Sequence, residues 1–108
     1  MSNSQIDEIS VSISRYLSIR EHSKKELIDK LLKKNYDLED ILSRIEDYSK
    51  RNLQSDQRYA EDLIRVKFNA GKGPNFIENF LKSQQIPREI IEDGLSQYTQ
   101  SDLSLIHI

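Results

Sequence analysis

Cysteine and tryptophan are absent from the 108-residue chain, and it has only three glycines and two prolines. Without cysteine there is neither a disulfide nor a thiolate metal site, which fits a reducing compartment. So few glycines and prolines leave few places where the backbone must break, and most of the chain is free to be helical. No apolar run approaches the ~20 residues of a membrane span. The opening MSNSQIDEIS has neither the basic nor the apolar region of a signal peptide. A soluble, cytoplasmic protein with no membrane contact is expected.

Apolar residues make up 36% and charged residues 31% of the sequence, and mean hydropathy is −0.68. The core must therefore come from a small set of well-spaced side chains in one small domain or two still smaller units. A formal net charge of −2 argues against a polycation that coats DNA. Local charge is uneven. Residues 15–34 carry seven basic and three acidic side chains, whereas residues 35–108 carry nine basic and thirteen acidic ones.

Apolar residues recur every three or four positions, which predicts helices throughout. Ile6, Ile9, Ile13, Tyr16 and Leu17 mark a first helix that fades near IREH. Ser23 and Glu26 have the spacing of a capping box that opens a second helix, with Leu27, Ile28, Leu31 and Leu32 as its stripe and Asn35 as a left-handed stop. Asp37 caps a third, flanked by Tyr36 and Ile41 in staple positions, and Ile45 and Tyr48 continue that seam.

Displacing the chain by fifty positions lays HSKKELIDKLLKKNYDLEDILSRI on KGPNFIENFLKSQQIPREIIEDGL without a gap. Leu27 meets Ile77, Leu31 meets Leu81, Tyr36 meets Ile86, Ile41 meets Ile91 and Ile45 meets Leu95. Upstream, Ile13 falls on Leu63 and Arg15 on Arg65. Ser23 corresponds to Gly73, ahead of Pro74 at a first-turn position that needs no N–H. The expected fold is all-α: two tandem three-helix repeats over residues 1–52 and 53–98, forming an elongated or curved body. Their boundary falls near KRNLQSDQ, where Asp56 is placed to cap the fourth helix. Residues 99–108, with Leu103, Leu105, Ile106 and Ile108, are expected to be a flexible or truncated tail.

Two stretches resemble the RecX regulatory proteins. YLSIREHSKKELIDKLLKKNYD resembles their N-terminal repeat through Arg20, Glu21, His22, Ser23, Glu26, Leu27, Lys30 and Leu31. SDQRYAEDLIRVKFNAGKGPNFIENFLKSQQI resembles their central repeat through Asp56, Arg58, Tyr59, Ala60, Arg65, Gly71, Gly73, Pro74, Ile77, Leu81 and Ile86. The resemblance runs from about Tyr16 to Leu95. It implies a cytoplasmic bacterial modulator of the recombinase RecA, whose three-helix repeats lie in the groove of the RecA filament on DNA. Such proteins restrain strand exchange, ATP hydrolysis and coprotease activity. Members of the family usually carry three repeats; two are visible here.

The candidate contact residues are basic: Arg15, Arg20, Lys24, Lys25, Lys30, Lys33 and Lys34 in the first repeat, and Arg58, Arg65, Lys67 and Lys72 in the second. The bland reading is a solvated helix face whose lysine stems cover apolar neighbours. The resemblance turns it towards an acidic partner, either the RecA filament or DNA phosphates. DNA contact would be weak and not sequence-specific, because lysine neutralises phosphate without reading base edges. Arg58 also has Glu61 and Asp62 as candidate partners on its own helix.

The glycines of AGKGP lack the spacing of a phosphate loop and suit a tight inter-helix turn. His22, beside a helix cap, suits a local capping or packing role rather than metal binding. Tyr16, Tyr36, Tyr48, Tyr59 and Tyr98 lie on apolar seams, with hydroxyls at the edge. Glu39 with Asp40, and Glu61 with Asp62, are adjacent on helices and point apart. No nucleophile, base and oxyanion donor assemble, so the expectation is a monomeric, non-enzymatic binding protein with no cofactor and no metal. A DNA-binding module of the helix-turn-helix type and a helical adaptor for another protein are the rival readings.

Overall fold

In the computed structural model the backbone is described over residues 2–106 and the side chains over residues 5–97. Six α-helices occur in order: α1 (Ser2–Ile19), α2 (Lys24–Leu32), α3 (Leu38–Lys50), α4 (Asp56–Asn69), α5 (Pro74–Ser83) and α6 (Arg88–Ile106). No strand is present among the described residues. The chain divides between Ser55 and Asp56 into two compact units of three helices each, a few residues beyond the expected boundary at 52. α6 continues as helix across residues 99–106; the side chains of the stretch set apart as a tail lie outside those described.

Three helix starts have a local reason in the residues just before them, while α4 begins at Asp56 itself, which stands in the first turn rather than at the cap position expected for it. At α2 the Ser23 hydroxyl accepts from the Glu26 N–H (3.1 Å) while the Glu26 carboxylate accepts from the Ser23 N–H (3.4 Å), so two of the helix's orphan donors are satisfied. Asp37 caps α3 by accepting from the Glu39 and Asp40 N–H groups. Gly73 precedes Pro74 at the first turn of α5. Asn35 takes φ 66° just past α2, and Gln85, fifty positions on, takes φ 57° past α5. The same left-handed turn therefore follows the middle helix of both units.

The first unit closes on Ile9, Ile13, Leu27, Leu31, Ile41, Ile45 and Tyr48, with Tyr16, Leu17, Ile28 and Tyr36 packed at its edge. The second closes on Tyr59, Ala60, Ile64, Ile77, Leu81, Ile86 and Ile91, edged by Leu63, Phe68, Ile90 and Leu95. Burying each of the larger aliphatic side chains stabilises its unit by roughly 1.5–3 kcal/mol. Tyr48 shows how a core tyrosine keeps its polar end satisfied: its hydroxyl donates to the Ser10 carbonyl at 2.9 Å and lies 2.6 Å from the Ser14 hydroxyl.

The fifty-residue correspondence holds for the second and third helices and slips by one residue in the first. Ile9 and Ile13 find their buried counterparts in Ala60 and Ile64, while Leu63, the expected partner of Ile13, is only partly buried. Gly94 supplies the reason. A Cβ there would sit 2.7 Å from Ile64 Cδ1, so Ile64 fills the room that the missing side chain leaves on α6. The corresponding position in the first unit is Arg44, which has no such space to offer.

Candidate functional site

The basic residues of the first unit separate into those neutralised by neighbouring carboxylates and those that are not. Arg20 grips Glu26 with both guanidinium nitrogens, one of them at 3.1 Å, and so ties the loop after α1 to the α2 cap. Lys25 pairs with Asp29 at 2.7 Å along α2, and Lys24 reaches Glu46 of α3 at 3.6 Å. Lys30 and Lys34 turn to the other flank of α2. Their ammonium groups lie over the Tyr16 ring of α1, at 4.8 and 5.4 Å from its centroid. Lys34 also donates to the Ser12 hydroxyl at 3.4 Å. The lysines of α2 and of the turn after it thus flank the helix on two sides rather than forming one face.

His22 anchors the Lys30 side. Lys30 Nζ lies 2.8 Å from His22 Nε2, and an ammonium only donates, so Nε2 is the acceptor. Nδ1 therefore carries the proton and donates to the Arg20 carbonyl at 3.0 Å. This is the neutral tautomer. Burial pushes the His22 pKa down, as do the charges of Arg20 and Lys30, against the raising effects of the Arg20 carbonyl bond and the Glu26 charge. Burial alone would raise the Glu26 carboxyl; the hydrogen bond and charge of Arg20, with smaller help from His22 and the Ser23 N–H, outweigh it and hold the pKa below the usual range. The loop is also fixed from the far end of the unit, where buried Gln54 donates through Nε2 to the His22 carbonyl at 3.1 Å.

In the second unit Arg65 turns to Asp62 at 3.3 Å. Arg58 is partly buried at the start of α4 and held in further interactions with its neighbours. Lys67 lies over the Phe80 ring at 5.2 Å, and Lys72 over the Phe76 ring at 5.0 Å. Neither lysine has a carboxylate within ion-pair distance among the described residues, and the same is true of Arg15, Lys30, Lys33 and Lys34. Reading the sequence assigned no role to Phe76 and Phe80. The available signal was their four-residue spacing beside, rather than on, the buried Ile77 and Leu81 stripe.

Among the described residues no group of three or more His, Asp or Glu side chains is placed to hold a metal ion, and no helix is long and apolar enough to cross a membrane. Residues 14–46 match the first three-helix domain of RecX, and residues 55–95 match the second. The chain belongs to the RecX family. The regulatory protein RecX of Acinetobacter baylyi is 36% identical over 79 residues, which is 73% of this chain and 50% of that protein. That of Legionella pneumophila strain Corby is 36% identical over 86 residues, covering 80% of this chain and 57% of its own. The chain spans about half the length of the curated RecX relatives it matches. The crystal structure of RecX from Lactobacillus salivarius superposes with a TM-score of 0.79 at 30% identity, over 89% of this chain and 63% of that one. A second RecX crystal structure has the same TM-score at 24% identity, covering 87% and 47% of the two chains. The all-α tandem arrangement of three-helix domains is thus the RecX fold.

Proposed function

We propose that this RecX-family chain is a non-enzymatic regulator that binds the RecA filament on DNA and restrains its recombinase, ATPase and coprotease activities. The observation that carries this reading is the match of both three-helix domains, in order, to those of RecX. The side chains that support it are the cations that no carboxylate among the described residues neutralises: Arg15, Lys30, Lys33 and Lys34 in the first unit, Lys67 and Lys72 in the second. Arg20, Lys24, Lys25, Arg58 and Arg65 serve first to hold the fold. The regulator acts by preferring one state of the filament to another, since a ligand shifts an equilibrium only by its differential affinity. It acts as a monomer in the cytoplasm, and its lysines neutralise phosphates without selecting bases.

The test is RecA ATP hydrolysis on single-stranded DNA with the chain titrated in. Turnover is expected to fall, and the triple charge reversal Arg15→Glu, Lys33→Glu, Lys34→Glu is expected to lose the effect while helicity by circular dichroism is kept. Unchanged turnover at saturating chain refutes the proposal.

A further inference from the structure

Lys24, Ile28 and Leu32 follow one another at four-residue spacing along one flank of α2, and Leu38, Leu42 and Glu46 do the same on α3. The Lys24–Glu46 pair shows that the two flanks adjoin. Since the start of α2 meets the later part of α3 and a short turn joins their other ends, the helices run antiparallel, which sets Leu32 level with Leu38 and Ile28 level with Leu42. Two apolar rungs about 6 Å apart result. Leu32, Leu38 and Leu42 are 42%, 47% and 45% exposed, and Ile28 is partly buried at the edge of the core.

The second unit fills the same four places, fifty residues on, with Glu78, Lys82, Arg88 and Glu92. Lys82 pairs with Glu78 at 2.9 Å and Arg88 with Glu92 at 3.3 Å. The hydrogen bond and charge of Lys82, with a smaller contribution from Arg88 of the next helix, hold the Glu78 carboxyl below its usual range, so these flanks adjoin as well. One backbone arrangement thus carries paired charges in one unit and water-exposed aliphatics in the other. Folding therefore does not require leucine here. A single exposed leucine is ordinary, but three on adjoining stripes form a patch of the kind that marks a contact.

We infer that the α2–α3 groove of the first unit docks one amphipathic helix of a partner protein, with apolar residues at i, i+4 and i+7 and basic residues beside them. Two rungs one turn apart match the apolar stripe of such a helix. The charge at the rim selects its flank: Glu39 and Glu46 border the α3 stripe, and Glu39 has no ion-pair partner among the described residues. On α2, Lys25 is matched by Asp29, and Lys33 lies about 100° beyond Leu32, turned away from α3. A second copy of the chain is a poor occupant, because three leucines less than half exposed supply little of the ~800 Å² per partner that a stable pairing buries. The groove uses none of the cations assigned to the filament, and its test needs no RecA.

The experiment titrates the whole chain into a fluorescein-labelled helical peptide with leucines in that pattern and lysines beside them, and into a control of the same composition whose leucines are scattered around the helix. Anisotropy is the readout. The patterned peptide is expected to bind about tenfold or more tightly than the scattered one. Giving the first unit the residues of the second, Leu32→Lys, Leu38→Arg and Leu42→Glu together, is expected to preserve the circular dichroism spectrum and weaken the patterned peptide by on the order of 30-fold or more. Glu39→Lys leaves the leucines in place and is expected to weaken it by roughly 2- to 5-fold, which tests the same groove should the triple exchange cost helicity. Equal binding of the two peptides, or a patterned peptide indifferent to these substitutions, overturns the docking groove. So does a parent chain that sediments as a dimer where the triply substituted chain sediments as a monomer, because the occupant is then a second copy.

Discussion

Lys30 and Phe80 stand at equivalent places in the two units, fifty residues apart, and each makes a cation–π contact with the helix before its own. Lys30 lies 4.8 Å from the Tyr16 ring centroid, and Lys67 lies 5.2 Å from that of Phe80. The contact keeps its position while cation and ring have exchanged helices. Attraction between an ammonium and an aromatic quadrupole has no preferred sense along the chain, so the exchange preserves the bridge. A double-mutant cycle with Lys67→Met and Phe80→Leu, read by urea denaturation, should give a coupling of about 0.5–1 kcal/mol. Additive effects would show that the geometry contributes no stability.

Acid should weaken the first unit before it titrates the carboxylates. His22 has its pKa lowered in the fold, so below its ordinary value near 6.5 the unfolded chain binds a proton that the folded chain refuses. Its contribution to stability is whole above about pH 6.5 and is lost as pH falls towards the folded pKa, at no more than about 1.4 kcal/mol per pH unit. The groups around the imidazole are Lys30, Arg20, Glu26 and the Tyr16 ring. Glu26 follows in a lower window, stabilising above its ordinary 4.5 and losing that contribution as pH drops through its depressed folded value. Urea midpoints at pH 7.5 and 5.5 should differ in the parent chain. With His22→Gln that difference should shrink, and an undiminished one would place the proton uptake elsewhere.

Gln54 should be among the costly polar residues to lose. Its amide satisfies the carbonyl of His22 from 32 positions away, inside the first unit. Gln54→Leu leaves that acceptor without its donor, a loss of about 1–3 kcal/mol. Amide exchange should quicken around residues 20–23 as well as near residue 54. Acceleration confined to the site of the substitution would contradict this account.

Gln85 should be easy to improve. Its φ of 57° lies in the region that costs a residue with a Cβ roughly 1–2 kcal/mol, and its repeat counterpart, Asn35, is a residue type better suited to it. Gln85→Gly should stabilise the second unit by about 0.5–1 kcal/mol once the greater entropy of an unfolded glycine is subtracted. A lower thermal midpoint would be the contrary outcome.

Features built from neighbours in sequence were the most legible. The Ser23 and Glu26 box, the Asp37 cap and the Asn35 turn each involve residues within four positions, and each appears where the pattern put it. The fifty-residue repeat revealed both three-helix units because its apolar positions coincide through the second and third helices. It misplaced the buried partner of Ile13 because the slip depends on Gly94, thirty positions from Ile64 and on another helix. Charge counting drew attention to residues 15–34, and the Lys25–Asp29 pair has a local (i, i+4) spacing, yet only tertiary structure divides Lys24, which meets Glu46 of α3, from Lys30 and Lys34, which meet Tyr16 of α1. Lys67 and Phe80 are thirteen residues apart, a separation with no periodic signature.

The 2.7 Å approach between Ile64 Cδ1 and the Cβ that Gly94 lacks makes position 94 a size gate on mutational drift in the second unit. Alanine, otherwise about 1 kcal/mol better than glycine inside a helix, is admitted only if Ile64 gives way. The route to a stronger α6 therefore runs through Ile64→Val first, and homologues with a side chain at 94 should carry a smaller one at 64.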